Sequence, residues 1–169
     1  MNMTQAPTVD WLPRWQELVR AIARVHSDHG ERQLLEWLGE SQDPVVVAFV
    51  NAHAMNSAAT SRHFFEALMS ADVLLRDGIG LSILMELLNQ RPGVNMNGTD
   101  LIPKIMQRFS GGTIALFGTQ EPWLSRARQA VVSRVAPGSP CVIAHGFHDT
   151  AAYVRLAALH RPRLIVLGM

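Results

Sequence analysis

Apolar residues fall along the chain in short runs separated by stretches of helical spacing. Val45-Val46-Val47-Ala48-Phe49-Val50 is continuously apolar, as in a strand buried on both faces. Val73 to Leu75, Thr113 to Phe117, Cys141 to Ala144 and Leu164 to Leu167 are shorter runs of the same kind. Between them the period changes. Trp11, Trp15, Leu18, Val19, Ile22 and Val25 line one face of a helix predicted over Trp11 to His26, with Arg14, Glu17, Arg20 and Arg24 on the other. Further helices are predicted over Glu31 to Leu38, Asn56 to Met69, Ile79 to Asn89, Asp100 to Phe109, Pro122 to Val135 and Thr150 to His160. Arg91-Pro92-Gly93 and Pro162 are stop signals, and Asp149 is a cap.

Strand and helix alternate, which implies right-handed crossovers and a parallel arrangement. The expectation is an α/β fold: a Rossmann-like, mostly parallel sheet of about five strands with helices on both faces. An N-terminal helical extension over residues 1–43 precedes this domain, which covers 44–169. Met1 to Asp10 is polar and expected to fray. The tryptophans and arginines of the first helix would suit a membrane surface, but packing against the domain is the expected use.

Composition narrows the function classes. A chain of 169 residues with 48% hydrophobic and 17% charged positions folds rather than stays disordered. A net charge of +1 gives no reason to expect nucleic acid. Cys141 is the sole cysteine, which excludes an internal disulfide and fits a reducing compartment. No apolar run nears the roughly 20 residues of a membrane span, and the start lacks a signal-peptide layout. A cytoplasmic protein is expected, with peripheral contact at the inner face of the cytoplasmic membrane left open.

Candidate chemistry gathers where strands end. Ala71 to Leu81 is an apolar run closing on Asp77, followed by Gly78-Ile79-Gly80 and a helix. In open α/β sheets the carboxyl ends of strands are where ligands bind. Two readings are open: Asp77 caps the next helix, or it meets a ligand and abstracts a proton from a hydroxyl. The glycines are not a dinucleotide fingerprint, because the third is missing. Gly118-Thr119-Gln120-Glu121-Pro122 links a strand to a helix; it is either a plain turn or a set of amides for phosphate. The last four strands end on Asp77, Gly118, His145-Gly146 and Gly168. His53, His63, His145 and His148 lack supporting Cys or Glu spacing, so neither a metal site nor a cofactor is expected.

Several of these pieces, in order, resemble the bacterial WecG/TagA/CpsF glycosyltransferases. They are Val50-Asn51-Ala52, Asp72-Val73 through Asp77-Gly78-Ile79-Gly80, and Asn97-Gly98-Thr99-Asp100-Leu101. Leu116-Phe117-Gly118, Ala144-His145-Gly146-Phe147 and Arg161-Pro162 to Leu167-Gly168 follow. The resemblance implies inverting, metal-independent transfer of a sugar, of the N-acetylmannosamine type or a related hexose, from a UDP-sugar. Its acceptor would be a polyprenyl-diphosphate-linked sugar at the cytoplasmic membrane, in teichoic acid, common antigen or exopolysaccharide synthesis. Asp77 would be the general base. Asn51 would hold a sugar, and Gly78, Gly80, Gly98, Thr99, Asp100, Gly118, Thr119, Gln120, His145, Gly146 and Phe147 would contact substrate. Phe49 stands where the family commonly has threonine, and Asn95 where many members have arginine. The family continues past the last strand into a Pro-Lys-Gln-Glu type segment, so a C-terminally incomplete domain is expected. The alternatives are an inactive remnant serving as a binding or assembly module and an unrelated nucleotide-binding enzyme. Homo-oligomers remain open.

Overall fold

The first helix is where the amphipathic pattern places it, but it stops early. The structure, a computed structural model, describes residues 11–168, so the fraying expected of Met1 to Asp10 lies outside the described residues. Helix α1 (Trp11–Ala21) gives way to a two-residue strand, β1 (Ile22–Ala23). Leu18, Val19 and Ile22 are buried. The helix predicted through His26 is therefore shortened: Ile22 and Ala23 pair in parallel with Leu74 and Leu75 instead. A β-branched residue at the helix end gains more from a central strand than from another helical turn.

Helix α2 (Asp28–Glu40) starts earlier than predicted, where Ser27 accepts the Gly30 amide as N-cap, and also runs on to Glu40, where the Ser41 amide donates to the Trp37 carbonyl. Strand β2 (Val47–Val50) leads into α3 (Ala52–Thr60) and α4 (Arg62–Met69), and strand β3 (Val73–Arg76) into α5 (Ile79–Leu87). The single helix predicted over Asn56 to Met69 is broken at Ser61, which adopts extended backbone and caps α4 through the Phe64 amide at 3.2 Å. Ser61→Ala is expected to cost about 1 kcal/mol, checked by denaturant unfolding. Helix α6 (Gly98–Arg108), strand β4 (Ile114–Gly118), α7 (Trp123–Ala130), β5 (Cys141–Ala144), α8 (Thr150–His160) and β6 (Leu164–Gly168) complete the order. A wider π-type turn over Val131–Val135 follows α7.

All pairings are parallel, as the alternation requires, and the fold is a Rossmann-like α/β arrangement. Among the described residues the strands number six rather than about five, and they form two three-stranded sheets, β1-β3-β2 and β5-β4-β6. The chain divides into two compact units after Leu101.

In the first unit, Val50, Leu74, Leu81 and Met85 pack with Leu18, Val19, Ile22, Met55 and Leu68. Helix α1 is fixed on α3: the Trp15 indole N–H donates to the Met55 carbonyl at 2.8 Å, and Arg14 donates to the carbonyls of Ala58 and Ala59. A cation on the last carbonyls of a helix is favourable. This realises the packing use of the helix.

In the second unit β4 is buried throughout and sorts its side chains by alternation. Ile114 and Leu116 face Met106, Leu124, Val131 and Ala136; Ala115 and Phe117 face Ala144, Tyr153 and Leu156. Helices thus cover both faces of this sheet. Among the described residues no helix is long and apolar enough to cross a membrane.

Candidate functional site

Parallel strands in one direction put all their carboxyl ends on one rim of each sheet. In the first unit, Val50 pairs with Arg76, so the next residues, Asn51 and Asp77, leave neighbouring strands side by side. The Asp77 amide donates to the Val50 carbonyl at 2.8 Å, which fixes the residue on that rim. Asp77 is half-buried.

The capping reading of Asp77 does not hold. The N-cap position of α5 is Gly78, and no side chain caps that helix start. Asn51 does cap: its Oδ1 accepts the Ala54 amide at 2.9 Å at the start of α3. Gly78 lies at φ 87°, ψ 162°, a conformation open essentially to glycine alone. Gly80 lies in the first turn of α5 against Ala52, beside the Asn51 cap. The outward positions of α5, Ile79, Ile83 and Leu87, are apolar and exposed.

Behind the turn lies a side chain the apolar pattern did not single out. Arg76, the last residue of β3, is 4% exposed. Its guanidinium donates to the carbonyls of Pro92, Gly78 and Gly93 at 3.2, 2.9 and 3.1 Å, and to Asn95 Oδ1 at 3.3 Å. Asn95 Oδ1 also accepts the Gly78 amide at 3.0 Å. Burial pulls the Arg76 guanidinium below its ordinary value, opposed by the Asp77 and Glu86 carboxylates. A charged residue closing an otherwise buried strand was the sequence signal for it. The loop that receives it is pinned in turn: Val94 donates to the Val25 carbonyl at 2.8 Å, and Met96 to the Arg76 carbonyl at 3.2 Å. A side chain on Gly93 would collide with the Val25 carbonyl.

Gly98, Thr99 and Asp100 form the first turn of α6. Asp100 is engaged in a reciprocal cap: Asn97 Oδ1 accepts its amide at 2.9 Å, and its carboxylate accepts the Asn97 side-chain amide at 2.8 Å. Thr99 is exposed.

The second unit has its own rim. Gly118, with φ 132°, ends β4 against Gly168 of β6. The Thr119 amide goes to the Gly168 carbonyl at 2.8 Å, and the Thr119 carbonyl accepts the Gly146 amide at 2.8 Å. Glu121 takes the Ser125 amide and hydroxyl at the start of α7. The turn, read in the sequence either as a plain turn or as a set of amides for phosphate, gives its Thr119 amide to β6 and carries a carboxylate at its helix end. Gln120 is exposed, and its carbonyl accepts the amides of Trp123 and Leu124.

Beyond β5 the His145 and His148 rings stack, with centroids 3.8 Å apart, and His145 Nδ1 accepts the Phe147 amide. Tyr153 organises this loop: its hydroxyl donates to the His145 carbonyl at 2.8 Å and accepts the His148 amide at 3.3 Å. Its ring lies against Phe117. Phe147 is 76% exposed. Gly146 approaches the β4 turn so closely that a Cβ would lie 3.1 Å from the Thr119 nitrogen. Cys141, half-buried on β5, has its thiol pushed up by burial, as suits an inert packing residue.

Of the sequence-predicted residues, eight gather on the two rims, while Gly98, Thr99 and Asp100 lie at the start of α6 and Gln120 and Phe147 are exposed in the second unit's loops. Asn51, Asp77, Gly78 and Gly80 meet on the first unit's rim. Gly118, Thr119, His145 and Gly146 meet on the second unit's rim. Compared with known proteins, residues 18–169 match the model of the glycosyl transferase WecG/TagA/CpsF family. No curated protein matches the chain.

Proposed function

Because the chain belongs to the WecG/TagA/CpsF family of glycosyl transferases, we propose that it moves a hexose, of the N-acetylmannosamine type, from a UDP-sugar to a polyprenyl-diphosphate-linked acceptor. The product would serve cell-surface polysaccharide synthesis. One observation carries the reading: a carboxylate without a capping duty stands on the carboxyl rim of a parallel sheet, next to Asn51 and on a glycine-only turn. In the proposed reaction Asp77 takes the proton of the acceptor hydroxyl as that oxygen attacks the anomeric carbon. The bond from that carbon to the UDP oxygen breaks, UDP leaves, and the anomeric configuration inverts.

Asn51 directs its side chain from the adjacent strand end and is proposed to hold a sugar hydroxyl through the amide nitrogen, its oxygen being given to Ala54. The exposed apolar side of α5, which follows the Asp77 turn directly, supports an acceptor borne on a hydrocarbon chain at the membrane's inner face. Within the second unit taken by itself, Phe147 beside Gly146 is proposed as a substrate contact, its exposed ring being able to stack on a planar group.

Calorimetric titration with UDP and UDP-sugars tests the donor assignment. Saturable binding of UDP-N-acetylhexosamines, with NAD and ATP giving none, is expected. No heat with UDP ligands at millimolar concentration would count against it.

A further inference from the structure

We infer that Arg76 and Asn95 are positioning residues that hold the Asp77–Gly78 turn in the form from which Asp77 acts. The inference rests on the reading of Asp77 as general base. Burying a guanidinium is costly unless its donors are all met, and an apolar side chain of similar volume is often at least as stabilising at such a site. Arg76 is nonetheless kept at 4% exposure, and each hydrogen bond named for it goes to a neutral oxygen. Those oxygens come from two places: the loop at Pro92, Gly93 and Asn95, and the turn at Gly78. The cation ties one to the other.

The geometry is a bracket around a single residue. Gly78 is held at its N–H by Asn95 Oδ1 and at its C=O by Arg76, while Asn95 Oδ1 also receives Arg76. Asp77 is held at its own N–H by Val50. The peptide units on both sides of the carboxylate are therefore fixed, leaving only its side-chain torsions. Gly78 is at φ 87° and ψ 162°, and as a glycine it has other backbone conformations equally open to it, so these hydrogen bonds select this one. Displacement of a reacting group by about 1 Å can lower turnover roughly a hundredfold.

Asn95 is exposed, so its substitution tests the bracket without opening the core. Two readouts are used: turnover of a UDP-sugar with a soluble prenyl-diphosphate-linked sugar, and hydrogen exchange at the Gly78 amide. Asn95→Leu is expected to lower kcat about ten- to hundredfold with the donor KM little changed, and to speed Gly78 exchange. Asn95→Asp, which keeps the Oδ1 acceptor, is expected to restore most of both. Arg76→Met should act in the same direction as Asn95→Leu. Unaltered Gly78 exchange, or wild-type kcat, in Asn95→Leu would overturn the inference. Exchange needs no turnover, so it decides the bracket even if Asp77 proves dispensable. Wild-type kcat in Asp77→Asn would instead strike the base reading alone.

Discussion

Asp77→Asn is expected to lower sugar transfer by roughly 10²- to 10⁴-fold, the range for loss of a general acid–base group. Asparagine matches the carboxylate in shape and cannot accept the proton. Substrate binding should persist, so the loss should lie in kcat rather than in donor affinity. Stability sharpens the expectation. Asp77 caps no helix, since Gly78 holds the N-cap position of α5 without a side-chain bond. The substitution should therefore spare the roughly 1 kcal/mol that losing a cap costs. Steady-state rates and thermal unfolding on the same preparation give both numbers. A variant that transfers sugar at the wild-type rate removes Asp77 from the chemistry; one that unfolds early assigns it a structural duty.

Gly118→Ala should produce the largest loss of stability at any glycine of the second unit. Its φ of 132° is open to few L residues, at a cost of about 1–3 kcal/mol. A methyl group there would also run into the carbonyl of Gly168, its partner on β6. That carbonyl already receives the Thr119 amide at 2.8 Å, so β6 cannot yield without losing a bond. Overpacking of this kind typically adds about 1–3 kcal/mol. The sum, about 2–6 kcal/mol, is a large part of a domain's total stability. Gly138→Ala is the control. Its φ is 82°, but nothing lies within 4 Å of an added Cβ, so only the backbone cost of about 1–2 kcal/mol applies. Denaturant midpoints of the two variants should differ accordingly. Equal midpoints would mean that β6 relaxes freely.

What was legible in the sequence was local. Strand β5 and helix α8 have the predicted bounds, Cys141–Ala144 and Thr150–His160, because each is fenced by its own turn and cap residues. The alternation of elements gave the parallel α/β class for the same reason. Pairing is not local, and there the sequence said less. Ile22 continues the apolar stripe of α1 and nothing nearby marks it as strand; its partner is Leu74, far along the chain. Ser61 sits in an unbroken helical pattern, and a serine in such a pattern does not declare that it will turn the backbone. Division of the strands between two sheets likewise depends on which edges meet.

The site divides the same way. Asp77 and Gly78 were visible as an acid and a glycine after an apolar run. Arg76 and Asn95 act through bonds to Pro92, Gly93 and Gly78 that no spacing rule anticipates. Tyr153 was hidden for a similar reason: as one apolar position on α8 it gives no hint that its hydroxyl ties down the loop after β5.

The backbone carbonyl of Val25 has a consequence for the portability of the acidic turn. It receives Val94, and Gly93 is pressed against it, so the loop that grips Arg76 rests on a residue just past β1. A graft carrying only the strand, the acid and the two glycines into another scaffold would leave that abutment behind. The unit that can be transplanted is larger than the motif, and it begins upstream of the first residue that looks chemical.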